Sequence, residues 1–226
     1  MDRDAPTTTR AFFGRRKGHP LKPRQAALFD ALLPRLAVDL TKPAPADLRT
    51  LFATPLDDMR LEIGFGGAEH LIAQAQAHPR TGFIGTDAFV NAVAKALAAV
   101  DEHKLANIRF YFGDASELLD WLPNAALSRI DLLYPDPWPK RRHWKRRFIQ
   151  DDNLRRLARL LKKGGELRFG KVDKNACQQR DDKKPDQPPT HKTNDFRRRI
   201  LRKHLRFGFK RAGRVGFRAH PPTPIC

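Results

Sequence analysis

An α/β fold, a mostly parallel twisted sheet with helices on both faces, is predicted from three observations. From residue 58 to residue 169, five strand-like runs alternate with four helix-like runs. Such alternation folds into a parallel sheet covered on both sides, and right-handed crossovers leave few topologies. The chain has 226 residues, 40% of them apolar, enough for one large domain with appendages. Glycines or acids stand at the ends of successive strand-like runs, where open α/β sheets bind ligands.

The elements follow in order. Residues 1–57 form a basic N-terminal segment and a helical extension: FFGRRKG (12–18), a helix over QAALFDALLPRLAV (25–38), then a proline-rich connector. The core, 58–169, begins with a strand at RLEIGF (60–65) and a helix at GAEHLIAQAQAH (67–78). A strand at TGFIGTD (81–87) and a helix at FVNAVAKALAAVDEH (89–103) come next. They are followed by a strand at IRFYFGD (108–114), a short helix at ASELLDWL (115–122) and a strand at RIDLLYPD (129–136). A helix at DNLRRLARLLKK (152–163) and a turn and strand at GGELRF (164–169) close the core. Residues 170–226 are an atypical basic tail with 16 Lys and Arg against five Asp. Its polar, proline-bearing start reads as loop or disorder.

Charge narrows the partner. The chain carries 44 Lys and Arg against 25 Asp and Glu, a net charge of +19. That excess calls for a polyanion, most often a nucleic acid. No apolar run approaches the ~18 residues of a membrane span, and the first residues lack the apolar stretch of a signal peptide. Cys177 and Cys226 support neither a disulfide framework nor a zinc site. A cytoplasmic setting without a metal is expected.

The first strand runs into LEIGFGGAEH (61–70). Gly64, Gly66 and Gly67 permit a tight turn and a close ligand approach ahead of a helix N-terminus. Asp87 ends the second strand, where an acid can accept both ribose hydroxyls of a nucleoside. Asp114 ends the third, where it could meet an adenine edge, although an acid there is usually a helix N-cap. Glu62 lies in an apolar strand, and a carboxylate buried there must be paired. No third glycine stands at the spacing of a dinucleotide fingerprint, and no phosphate-loop lysine is present. A nucleoside cofactor without a diphosphate is favoured, and S-adenosylmethionine fits.

The stretch YPDPWPKRRHWKRR (134–147) places Asp136 between two prolines at the end of the fourth strand. The prolines restrict the backbone on both sides. Lys140, Arg141, Arg142, Lys145, Arg146 and Arg147 then form a dense basic loop suited to phosphates. Trp138, His143 or Trp144 could stack on a displaced base, with Trp144 the more exposed tryptophan.

With LEIGFGGAEH, GTDAFVNAVAKAL and YPDPWPKRRHWKRR in this order, the chain resembles bacterial tRNA (guanine-N7)-methyltransferases over residues ~10–169. FFGRRKG resembles the N-terminal element of that family. The resemblance implies a Rossmann-like class I methyltransferase fold and S-adenosylmethionine as methyl donor. It also implies tRNA as substrate, with N7 of the variable-loop guanine, tRNA position 46, as acceptor. By position, the cofactor residues of the family correspond to Glu62, the Gly64 and Gly66 loop, Asp87, Asp114 and Asp136, and Lys140 corresponds to a substrate contact. Asp136 is the catalytic candidate, a carboxylate that positions the base and faces the positive charge developing on it.

The chain departs from the family in places. Asp87 stands where the family usually has Glu, and a shorter carboxylate must reach further. Ala68 replaces a frequent glycine, a milder change. After Phe169 no Thr-Asp or Ser-Asp pair follows, and the tail contains no Glu with which to form a Thr-x-x-Glu element. A shifted reading frame or a lineage-specific tail accounts for this, and either would impair the specific guanine contacts. Two other functions stay open: an inactive RNA-binding protein that keeps the basic surface, and a methyltransferase with another substrate.

Overall fold

A computed structural model describes residues 14–136 and 138–170. Helix α1, Pro23–Leu36, starts with proline in its first turn, where a missing N–H costs nothing. It ends one residue before Ala37, which turns extended and bridges to Phe110. A 3-10 turn, Leu48–Leu51, leads into β1, Asp58–Ile63. Then follow α2, Glu69–Ala77, β2, Thr81–Asp87, and α3, Val90–His103. Next are β3, Ile108–Phe112, α4, Ala115–Trp121, and β4, Leu127–Leu132. The 3-10 helix Arg141–Arg146, α5, Asp151–Leu160, and β5, Leu161–Phe169, complete the described chain. No helix among the described residues is long and apolar enough to cross a membrane.

The five strands form one parallel sheet in the order β3-β2-β1-β4-β5. The expected α/β architecture is present. The order reverses between β1 and β4, and a crevice opens beyond the carboxyl ends of strands at such a reversal.

Two apolar clusters cover the two faces. Leu61, Ile63, Ile130 and Leu132 point toward α4 and α5, where Leu118, Leu119, Leu157 and Leu160 are buried. On the other face Phe83, Ile108 and Phe110 pack under Leu71, Val93 and Leu97 of α2 and α3, with α1 lying outside them. Each such side chain contributes about 1.5–3 kcal/mol of burial. The alternating residues of β1 and β4 that face α2 are polar instead: Glu62, Arg129 and Asp131 are all buried.

Several boundaries differ from the sequence expectation. β3 stops at Phe112, so Asp114 does not end that strand but stands two residues beyond it. β1 begins at Asp58 and ends at Ile63, because Gly64 turns the chain with φ 66°. β4 stops at Leu132, so Asp136 does not end that strand. It stands four residues beyond it, past Tyr134, whose φ of 53° already breaks the extended course. α5 ends at Leu160, and β5 begins at once with Leu161. The pairing jumps from Leu127↔Leu161 to Arg129↔Glu166, and Gly164, at φ 81°, lets the extra residues bulge out. The tail beyond Gly170, with both cysteines and the missing family elements, lies outside the described residues.

Candidate active site

The crevice is built from four adjacent strand ends. Ile63 pairs with Thr86 on one side and with Leu132 on the other, so the glycine loop leaves the sheet between Asp87 and the segment leading to Asp136. Asp87 pairs with Phe112, which puts Gly113 and Asp114 next in line.

Asp87 binds the glycine loop directly. One carboxylate oxygen accepts the Gly66 N–H at 2.9 Å and the other accepts the Phe89 N–H at 2.9 Å. Burial pushes its carboxyl up, while these N–H donors pull it back. The carboxylate therefore pins the loop to the start of α3. Asp114 is the N-cap of α4, accepting the Ser116 N–H at 2.9 Å, so the usual role of an acid at that place is observed.

The loop itself is left-handed at three residues: Gly64 at φ 66°, Gly66 at φ 53° and Ala68 at φ 65°. A Cβ added at Gly64 or Gly66 would meet no atom within 4 Å. Their value is backbone freedom and the open space above them. Ala68 corrects the sequence expectation. The replacement of glycine there is not mild, because an L residue in this region costs about 1–2 kcal/mol. Its methyl group is buried at 1% exposure, and that burial offsets part of the strain. Gly66→Ala is expected to lower stability by about 1–2 kcal/mol and, in addition, to weaken any ligand seated over the loop. Thermal unfolding with and without ligand separates the two effects.

Glu62 is buried at 3% exposure and paired, as its apolar setting requires. Its Oε2 lies 2.7 Å from Nδ1 of His70 in α2. Burial pushes its carboxyl up, and His70 counters this. Burial also acts to lower the His70 imidazole, but Glu62 outweighs it, and the net direction is up. Beside them Arg129 donates to Asp131 at 2.8 Å and to Gln74 at 2.6 Å.

Across the strand-order reversal, Asp136 is exposed. The backbone is left-handed on both sides of it, at Tyr134 (φ 53°) and Trp138 (φ 36°). Non-glycine residues held there mark a segment constrained by its surroundings.

The basic loop divides into two groups. Lys140, Arg141, Arg142 and Lys145 are exposed. Arg147 turns inward and donates to the Trp138 carbonyl at 3.0 Å, with its guanidinium 5.1 Å from the Trp144 ring centre. Arg146 sits 5.1 Å from the centre of the Trp138 ring, and His143 meets that ring edge-on at 5.5 Å. The ring of Trp144 is exposed, as expected, at 49%. Stacking of a guanidinium on indole holds this loop together.

The segment before α1 forms one flank of the site. The Arg16 carbonyl accepts the Val90 N–H at 3.0 Å, and Asn91 bonds both Gly18 and His19 at 2.8 Å. The RRKG segment is thus tied to the start of α3, next to Asp87. A cavity of about 400 Å³ lined by Val38, Lys42, Leu51, Arg109 and Trp121, among others, shares no residue with this crevice.

The chain is similar to known proteins over most of the described residues. A family model described as "Putative methyltransferase" matches residues 57–195. A tRNA (guanine-N(7)-)-methyltransferase from Rhodopseudomonas palustris (strain BisB18) is 61% identical over 160 residues, covering 71% of this chain and 64% of that one. One from Nitrobacter hamburgensis is 59% identical over 159 residues, covering 70% of this chain and 62% of that one. One from Bradyrhizobium diazoefficiens is 58% identical over 168 residues, covering 74% of this chain and 71% of that one. The chain thus spans less than two thirds of the length of the first two.

Proposed function

The chain belongs to the tRNA (guanine-N(7)-)-methyltransferase family, and from that membership we propose that it methylates N7 of the variable-loop guanine, position 46, of tRNA. The donor is S-adenosylmethionine, and residues 58–169 carry the cofactor site. A cytoplasmic setting goes with a tRNA substrate. The single observation that carries the reading is the bond of Asp87 to Gly66, which holds the acid and the open glycine loop at one edge of the crevice.

The residues present fit that cofactor. The loop GFGGA has no Lys or Arg for a diphosphate, and S-adenosylmethionine has no diphosphate to bind. The lone pairs of Asp87 not used by Gly66 and Phe89 accept the ribose hydroxyls. Asp114 keeps one oxygen beyond its capping bond for the adenine side. Glu62, two residues before Gly64, offers an anion for the methionyl ammonium.

The bound cofactor supplies a methyl group on a sulfonium leaving group. Guanine N7 carries an available lone pair and needs no deprotonation, so the work of the protein is alignment. Positive charge moves from sulfur to the purine as the N7–C bond forms and the S–C bond breaks. Asp136 orients the base and faces that charge. Lys140, Arg141, Arg142 and Lys145 hold backbone phosphates, while Arg146 and Arg147 brace Trp138 and Trp144.

Each phosphate contact steepens the salt dependence of binding. Lys145→Ala is expected to flatten the slope of log K against log salt by about 0.7–0.9, measured by filter binding across a salt series. An unchanged slope would remove Lys145 from the interface.

The test of the function is incubation of the full chain with labelled S-adenosylmethionine and unmodified tRNA, followed by mapping of N7-methylguanosine. Label at the variable-loop guanine supports the reading. Folded protein that binds the cofactor but transfers nothing favours an RNA-binding protein without activity. Transfer to another acceptor favours a different substrate.

A further inference from the structure

The function leaves one buried pair unexplained. Glu62 sits on β1 directly opposite Asp131 on β4, so two carboxylates share one buried strip of the sheet. His70 and Gln74 stand four apart on α2, on one helix face. That face closes over the strip: His70 takes Glu62, and Gln74 takes Arg129. The charged groups facing Glu62 are His70 from α2 and Asp131 and Arg129 from β4. Gly85, its partner on β2, brings none.

Of these groups, only His70 is bonded to Glu62. Arg129 is engaged with Asp131 and Gln74, and Asp131 repels the Glu62 charge. The His70 bond uses Oε2 alone, leaving Oε1 for a ligand. His70 itself is partly open, at 26% exposure, against 4% for Glu62.

We propose that His70 is a positioning residue for cofactor binding, holding Glu62 ionised and aimed at the ammonium of S-adenosylmethionine. The assignment rests on the cofactor site argued above. It follows from geometry: a carboxylate facing another carboxylate in a buried strip stays charged only beside a donor, and His70 is that donor.

Remove the donor and the main opposition to burial is gone, leaving only the more weakly acting Arg129. The Glu62 carboxyl then takes up a proton at higher pH than in the wild type, and the counter-ion for the ammonium is lost. The sign is therefore fixed: without His70, affinity is lost as pH falls, and the loss begins at a higher pH.

The test is calorimetric titration of S-adenosylmethionine into the full-length wild type, H70A and H70N, at about pH 7 and about pH 5.5. Asparagine places an N–H near the position of Nδ1 but carries no charge. H70A is expected to raise the Kd about tenfold at the higher pH and more at the lower. H70N is expected to bind as the wild type near pH 7 and to fall behind near pH 5.5. H70A with the wild-type Kd at both pH values would overturn the role of His70, as would folded H70N that binds no better than H70A near pH 7. A wild type that binds no S-adenosylmethionine would overturn the cofactor site, and this assignment with it.

Discussion

Asp136→Asn is expected to lower kcat for methyl transfer about 10²–10³-fold while leaving the affinity for tRNA close to that of the wild type. Asparagine keeps the shape and one acceptor oxygen but removes the negative charge. The purine gains a positive charge at N7 during the reaction, and a fixed carboxylate beside it is worth most once tRNA covers the site and excludes water. The geometry supports a fixed group. Left-handed residues stand on both sides of Asp136, at Tyr134 and Trp138, and His143 and Arg146 grip the Trp138 ring. Single-turnover assays with saturating cofactor read the chemical step directly. Turnover equal to the wild type, with equal tRNA binding, would remove Asp136 from the reaction.

The second large effect is on stability. Arg129→Leu is expected to destabilise the fold by about 3–5 kcal/mol, read as a shift of the urea midpoint with an unchanged slope. Arg129 and Asp131 are both buried, with side chains 8% and 3% exposed. Burial lowers the Arg129 guanidinium, which the Asp131 carboxylate partly counters. Asp131 already has one oxygen, Oδ1, without a hydrogen-bond partner. Taking away Arg129 would strand the other beside Glu62, and a buried unpaired charge is among the costliest defects a core can hold. Replacing both members of the pair with apolar residues of similar volume should cost far less, because no charge is then left behind. A single substitution costing under about 1 kcal/mol would show that water reaches this strip.

Asp136 and the Arg129–Asp131 pair differ in how far the sequence reveals them. Asp136 was found in the sequence because its setting is local: prolines on both sides and six cations within eleven residues. The Arg129–Asp131 pair is also local in spacing, but its burial is not. RIDLL reads equally well with its charges on a solvent face, and only α2 lying over β1 and β4 turns them inward.

The strands and helices of the core were legible because each is set by its own residues. TGFIGTD is a strand with the expected bounds, Thr81–Asp87. Burial of Glu62 was legible from the apolar run around it, and the exposure of Trp144 from its place in the basic loop. Three of the shifts, at the ends of β1 and β4 and within β5, lie beside a left-handed residue: Gly64, Tyr134 and Gly164. Such angles are decided by the packing of the flanking segments rather than by residue type alone. Ala68 shows the same limit: nothing in its identity announces a left-handed φ.

The sequence by itself determined the alternation of strands and helices, the glycine loop, the acid that ends β2 and the basic stretch after β4. Each of these is written within about 15 residues of chain, the range over which periodicity and turn chemistry act. The tertiary structure alone decided that β4 lies beside β1, that His70 closes on Glu62, that Asp136 stands beyond the strand end, and that Arg146 and Arg147 face tryptophans instead of solvent. These depend on which distant segments meet, and that follows from how the apolar faces of five strands and five helices are buried together.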